Sequence, residues 1–140
     1  MAETIRDVMT PEPATVTPTD SVVDAARAMS EGDFGAVVVV EDGGSVRGIL
    51  TDRDIVVRAV AEGRDPKSTK VGEIFTTEPT TLSPDQSLDE AVDALRSSHV
   101  RRLPVVEGSQ VVGIVSIGDL AQARDEKSAL ADISAAAPNN

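Results

Sequence analysis

Gly48-Ile49-Leu50-Thr51-Asp52-Arg53-Asp54 reads as a strand that runs directly into a helix. Val46 to Leu50 is apolar and β-branched, with Arg47 and Gly48 interrupting. Thr51 or Asp52 is placed to cap a helix that carries Ile55, Val56, Ala59 and Val60. Thr51 and Asp54 therefore stand at a helix N-terminus, where free backbone N–H groups and the helix dipole favour an anion. A threonine hydroxyl suits a phosphate or a sugar, and two carboxylate oxygens suit a vicinal diol such as a ribose. Capped helices are common, so one copy of this stretch identifies nothing. The chain, however, contains it twice.

Pro13, Pro18, Ser21 and Val39 recur 66 residues later as Pro79, Pro84, Ser87 and Val105. Beyond Asp42-Gly43-Gly44-Ser45 the offset falls to 65, the loss of one residue in a hairpin turn. Gly48, Thr51 and Asp54 then match Gly113, Ser116 and Asp119. Each repeat opens with a short lead helix: Ile5, Val8 and Met9, then Val71, Ile74 and Phe75. An extended piece follows, Ala14 to Thr17 or Thr80 to Ser83. Ser21 and Ser87 next cap amphipathic helices whose apolar residues (Val22, Ala25, Ala26, Met29; Leu88, Ala91, Val92, Leu95) make one buried face. Ser87-Leu88-Asp89-Glu90 is the better capping box. Two strands joined by a tight turn come next: Ala36 to Glu41 with Val46 to Leu50, and Leu103 to Val106 with Val111 to Val115. Val37 to Val40 reads as a strand buried on both faces. Asp52 to Glu62 and Ile117 to Ala123 close the units, with Gly63 stopping the first helix. The expected domains are 1–62 and 71–123, with a polar linker at 63–70 and a largely disordered tail at 124–140.

The fold class is thus α/β (α+β): two repeats, each a small sheet with packed helices. A unit of about 60 residues is marginal alone, so the two are expected to pack face to face with both helix N-termini near one cleft. In 140 residues, 40% apolar, there is material for one compact core. With two Phe, no Trp and no Tyr, a base has little aromatic surface to stack on. A net charge of −11 argues against nucleic acid and against an anionic membrane surface. The absence of Cys removes disulfide and thiolate chemistry and agrees with a cytoplasmic chain. Met-Ala-Glu-Thr-Ile-Arg at the start has no apolar signal region, and no run approaches the ~18 apolar residues of a membrane helix.

The Val8-Met9-Thr10-Pro11 lead, the Arg102-Leu103-Pro104-Val105-Val106 strand and the duplicated Gly-x-x-Ser/Thr-x-x-Asp strongly resemble the CBS (cystathionine-β-synthase) domain. The resemblance runs from Ile5 to Ala123 and makes the chain similar to a tandem CBS pair, the Bateman module, in a small stand-alone bacterial form. It implies a pseudo-two-fold sandwich that binds an adenosine ligand: AMP, ADP, ATP or S-adenosylmethionine. The Asp would take the ribose hydroxyls, with the Ser or Thr near the phosphate. On the family pattern each site draws on both repeats. Thr51 and Asp54 would work with Thr76, Thr81, Arg101, Arg102 and Pro104. Ser116 and Asp119 would work with Thr10, Thr15, Phe34, Gly35 and Ala36. Arg101 and Arg102 match phosphate oxygens well, so tighter binding of phosphorylated adenosine is expected at the Asp54 site. Members of this group with Cys and His bind metal; without Cys that property is not carried over. No obligatory cofactor is implied, and Mg²⁺ would arrive only with a nucleotide. The resemblance further implies a homodimer, with Ile55 to Ala61 and Leu120 to Ala123 near the contact, and an unknown protein partner.

No Ser-His-Asp set, thiol or metal-ligand cluster supports an enzyme. The alternative is a dimerisation or interaction module without a physiological ligand. His99, the single His, reads as a helix-terminal cation or a surface residue. Arg53 and Arg58, on the helix after the first motif, have surface positions as the default and a phosphate or intersubunit role as the alternative.

Overall fold

Apolar periodicity and caps produce the expected elements, but the lead segments join the sheets in exchanged order. The computed structural model describes residues 3–77, 80–98 and 100–124. His99 and the tail beyond Arg124, on which two of the expectations fall, lie outside the described residues. In chain order the elements are α1 (Ile5–Val8), β1 (Thr10–Pro11), β2 (Thr15–Val16), α2 (Val22–Gly32), β3 (Ala36–Val40), β4 (Val46–Thr51) and α3 (Asp52–Asp54). A π-helical segment (Ile55–Val60) and a 3₁₀ turn (Val71–Glu73) follow. The remainder is β5 (Thr76–Thr77), α4 (Leu88–Ser98), β6 (Arg102–Glu107), β7 (Gln110–Ser116) and α5 (Ile117–Arg124). Among the described residues, no helix is long and apolar enough to cross a membrane.

Two compact units result. Among the described residues, one combines 13–77 with 109–111; the other combines 3–12, 80–98, 100–108 and 112–124. The first holds a four-stranded sheet in the order β2-β3-β4-β5, with β2 parallel to β3 and the other pairs antiparallel. The second holds a three-stranded sheet in the order β1-β7-β6. The lead strand of each repeat thus pairs with the hairpin of the other. Thr10 stands opposite Ile114 and Pro11 opposite Gly113, just as Thr76 stands opposite Ile49 and Thr77 opposite Gly48. The lead helices dock in the same exchanged way. The Ile5 and Arg6 N–H groups donate to the Gln86 and Pro84 carbonyls, and those of Val71 and Gly72 donate to Asp20 and Pro18.

Each core follows from this exchange. Ile5, fully buried, packs with Leu82, Leu95, Leu103, Val105 and Val115 of the second repeat. Val71 and Ile74 join Val22, Met29, Val37, Val39 and Leu50 of the first. Val37, Val38 and Val39 are all fully buried, so β3 is covered on both faces. In the β3–β4 turn Gly43 and Gly44 take positive φ (91° and 94°), which glycine tolerates without a Cβ clash.

Helix ends obey local rules with two refinements. Ser87 and Glu90 form the full capping box: Ser87 Oγ accepts from Glu90 N–H and Glu90 Oε1 from Ser87 N–H. Ser21 accepts only from Asp24 N–H. The helix expected at Asp52 to Glu62 does begin at Asp52, but from Ile55 it widens to π geometry. Its bonds there span five residues, Ala61 N–H to Val56 O (2.8 Å) and Arg64 N–H to Ala59 O (2.9 Å).

Candidate ligand-binding site

Two strand-to-helix junctions, one in each unit, carry the site residues. At the first, the chain leaves β4 with Thr51 still extended (φ −110°, ψ 163°). Thr51 Oγ1 accepts from Asp54 N–H at 3.0 Å, and Asp54 Oδ2 accepts from Thr51 N–H at 3.0 Å. The ordinary cap and the functional motif are therefore made by the same atoms. The second carboxylate oxygen of Asp54 is turned elsewhere. Oδ1 accepts a long bond from the Thr76 hydroxyl (3.4 Å) and lies 3.9 Å from Arg58 Nε. The Asp54 side chain is only 14% exposed, whereas that of Arg58 is half exposed. The second junction repeats the geometry: Ser116 Oγ accepts from Asp119 N–H (3.0 Å) and Asp119 Oδ2 from Ser116 N–H (2.9 Å).

Glycine at the head of the motif has a tertiary reason. A Cβ on Gly48 would run into the carbonyl oxygen of Thr76 and crowd the Phe75 ring. A Cβ on Gly113 would collide with the Met9 sulfur and press on the Thr10 carbonyl. The exchanged lead strand passes so close to β4 or β7 that only glycine fits, which brings Thr76 to Asp54. On β7, Thr10 stands opposite Ile114, two residues before Ser116. Sequence reasoning singled out both glycines as repeat markers but not the close backbone approach that requires them, whereas the family pattern did group Thr76 with Asp54 and Thr10 with Asp119. Arg58 is exposed, as expected, but its i, i+4 approach to Asp54, a readable signal, was not drawn from the sequence.

The remaining expected residues divide between the units. In the unit of Asp54, the Gly35 carbonyl accepts from Asp52 N–H (2.9 Å), Ala36 stands opposite Thr51, and Thr15 pairs with Val38. Phe34, 40% exposed, precedes them. The family pattern had grouped these four with Asp119. In the unit of Asp119, the Arg101 carbonyl accepts from Ile117 N–H (2.9 Å) and the Pro104 carbonyl from Leu82 N–H (3.0 Å). Arg101 and Thr81 are exposed, and Arg102 is half-buried. The family pattern had grouped Thr81, Arg101, Arg102 and Pro104 with Asp54.

A cavity of about 520 Å³ opens beside Asp119, lined also by Glu3, Asp7, Val8, Gln122 and Ala123. Among the described residues, no group of three or more His, Cys, Asp or Glu is placed to hold a metal ion.

The CBS domain matches the chain twice, over residues 5–60 and 71–126. The CBS domain-containing protein YhcV of Bacillus subtilis is 43% identical over 117 residues, 84% of this chain and 82% of the relative. Hypoxic response protein 1 of Mycobacterium tuberculosis is 34% identical over 119 residues, 85% of this chain and 83% of its own. A crystal structure of Hypoxic Response Protein I with two coordinated zinc ions superposes with a TM-score of 0.76 at 34% identity, over 85% of this chain and 97% of that one. The crystal structure of CBSX2 in complex with AMP gives a TM-score of 0.72 at 26% identity, over 89% of this chain and 98% of that one.

Proposed function

The chain belongs to the CBS domain family, and on that footing we propose that it is a regulatory module, not an enzyme, that binds an adenosine ligand at its two strand-to-helix junctions. Asp54 and Asp119 accept the ribose hydroxyls. Thr51 and Ser116, with the free N–H groups of the helix starts, face the phosphate or its counterpart. Thr76 and Thr10 flank the carboxylates, and Thr15, Phe34, Gly35, Ala36, Thr81, Arg101, Arg102 and Pro104 furnish walls and cations. Mg²⁺ accompanies a polyphosphate and has no protein site of its own. Binding favours one of two conformations, which a protein partner in the cytoplasm reads.

The observation that carries this reading is the Asp54 carboxylate, which holds its helix with one oxygen and keeps the other toward Thr76. A thermal-shift screen of adenosine, AMP, ADP, ATP, S-adenosylmethionine and guanine nucleotides tests it. Native-state binding stabilises by mass action, by about 2.7 kcal/mol at a ligand excess of 100 times Kd. The expected result is a shift for an adenosine ligand that disappears in the Asp54→Ala/Asp119→Ala chain. No shift with any of them overturns the proposal.

A second reading, dimerisation, is favoured by the π-helical segment. Val56, Val57 and Val60 are 57%, 44% and 60% exposed, unusual for adjacent β-branched residues on one helix. A homodimer that covers them is expected to dissociate in the Val56→Asp/Val60→Asp chain, as read by sedimentation. An unchanged sedimentation coefficient rules this face out.

A further inference from the structure

The two junctions differ at several matched positions, and one of them places a charge beside the motif carboxylate. Arg58, 65 residues before Ala123, sits four residues after Asp54 as Ala123 sits four after Asp119. Arg58 reaches between its helix and the lead segment: Nε lies 3.9 Å from Asp54 Oδ1, and Nη1 donates to the Ile74 carbonyl at 3.3 Å. In the other unit the equivalents of Asp54, Ile74 and Arg58 are Asp119, Val8 and Ala123, and all three line the 520 Å³ cavity. The cavity thus opens where the shorter side chain stands in place of the arginine.

The surroundings sharpen the contrast. Glu73, in the lead segment beside Ile74, is paired with Arg64 at 2.9 Å. Its equivalent Asp7 accepts from the backbone N–H and the hydroxyl of Thr4, and among the described residues neither Asp7 nor Asp119 makes an ion pair. The cavity is therefore walled by Glu3, Asp7 and Asp119 with no cation among its lining residues; Arg101 meets this junction through its carbonyl, and its side chain is exposed outside that lining. Among the described residues these acidic groups are not placed together to hold a metal ion, but they repel a phosphate placed among them. Next to Asp54 the half-exposed guanidinium is a cation that a phosphate on a bound nucleoside can attract.

We infer that positions 58 and 123 set the charge of the ligand each junction accepts. Arg58 directs phosphorylated adenosine to the Asp54 junction. Ala123 leaves the Asp119 junction to adenosine ligands whose 5′ substituent is uncharged or cationic, such as a thioether or a sulfonium. This inference rests on the proposed adenosine binding and adds its selectivity.

Titration calorimetry on the full chain with AMP, adenosine and S-adenosylmethionine tests it. Asp54→Ala isolates the Asp119 junction and Asp119→Ala isolates the other. Asp54→Asn and Asp119→Asn, which keep an acceptor for the cap, replace them if the alanine chains do not fold. The isolated Asp119 junction is expected to bind S-adenosylmethionine at least about fivefold more tightly than AMP, the effect of one solvent-screened charge contact. Adding Ala123→Arg reverses that order, and Arg58→Ala weakens AMP but not adenosine at the isolated Asp54 junction. Equal preference of the two junctions for AMP, or no change of order with Ala123→Arg, overturns the inference and leaves adenosine binding standing. No binding of any of the three to the unaltered chain overturns both.

Discussion

Asp54 and Asp119 hold their own helices with the carboxylates that the proposed function requires. Asp119→Ala removes the acceptor for Ser116 N–H and is expected to cost about 1 kcal/mol in the unliganded chain, read by urea unfolding. Asp119→Asn keeps an amide oxygen at that place and is expected to cost less. Ligand affinity is expected to fall in both, which separates the ligand role from the cap role. Glu90 gives a purely structural counterpart. The Ser87 backbone N–H, and after it the Ser87 hydroxyl, hold its carboxyl below the usual range, and the group is exposed. A carboxyl lowered on folding stabilises the native state above its unfolded pKa and loses that contribution as pH falls through the folded value. Glu90→Ala is therefore expected to lower Tm slightly at neutral pH, with a difference that shrinks in acid. A difference independent of pH would assign the effect to helix propensity instead.

At the scale of elements, the close pass of the exchanged lead strands over β4 and β7 decides what the motif tolerates. The Thr76 carbonyl that a Gly48 Cβ would strike is backbone held in the sheet and cannot swing aside. At Gly113 the first obstacle is the end of the flexible Met9 side chain. Gly48→Ala is therefore expected to destabilise by about 1–3 kcal/mol, and Gly113→Ala by less. Chemical denaturation of the two variants compares them, and equal losses would mean that the backbone at Thr76 yields as readily as a methionine. The π-helical segment is the other decision made at this scale. The run of Ile55, Val56 and Val57 reads as an ordinary amphipathic helix, and its widening depends on the five-residue bonds at Val56 and Ala59. That widened stretch carries Val56, Val57 and Val60, all exposed.

For the whole molecule, the exchange of lead segments means that neither repeat completes its core alone. Ile5, nearly a hundred residues from Leu103, is fully buried in the same cluster. Ile5→Ala is expected to cost about 2–5 kcal/mol. Hydrogen exchange is expected to show the loss in β6 and β7, whereas β3 and β4 keep their protection. Lost protection in β3 and β4 instead would contradict the assignment of Ile5 to the second-repeat core. The ion pairs of Arg6 with Asp85 and Glu107 fasten the same segment, but both are exposed and add little.

Helix faces, capping boxes, hairpin turns and the duplicated Gly-x-x-Ser/Thr-x-x-Asp depend on residues within a few positions of one another. They were legible in the chain alone, and with them the fold class, the family and the place of Thr51 and Asp54 at a helix start. Local residues left the partner of each lead strand open, and only the family resemblance set Thr76 with Asp54 and Thr10 with Asp119. Thr10 matches Thr76 and Gly113 matches Gly48, so either lead strand suits either hairpin by local preference. Only long-range packing, with Ile5 closing one core and Val71 and Ile74 the other, breaks that tie. The same packing gave Asp54 its Thr76 neighbour, brought Arg58 onto the Ile74 carbonyl and left a cavity at Ala123.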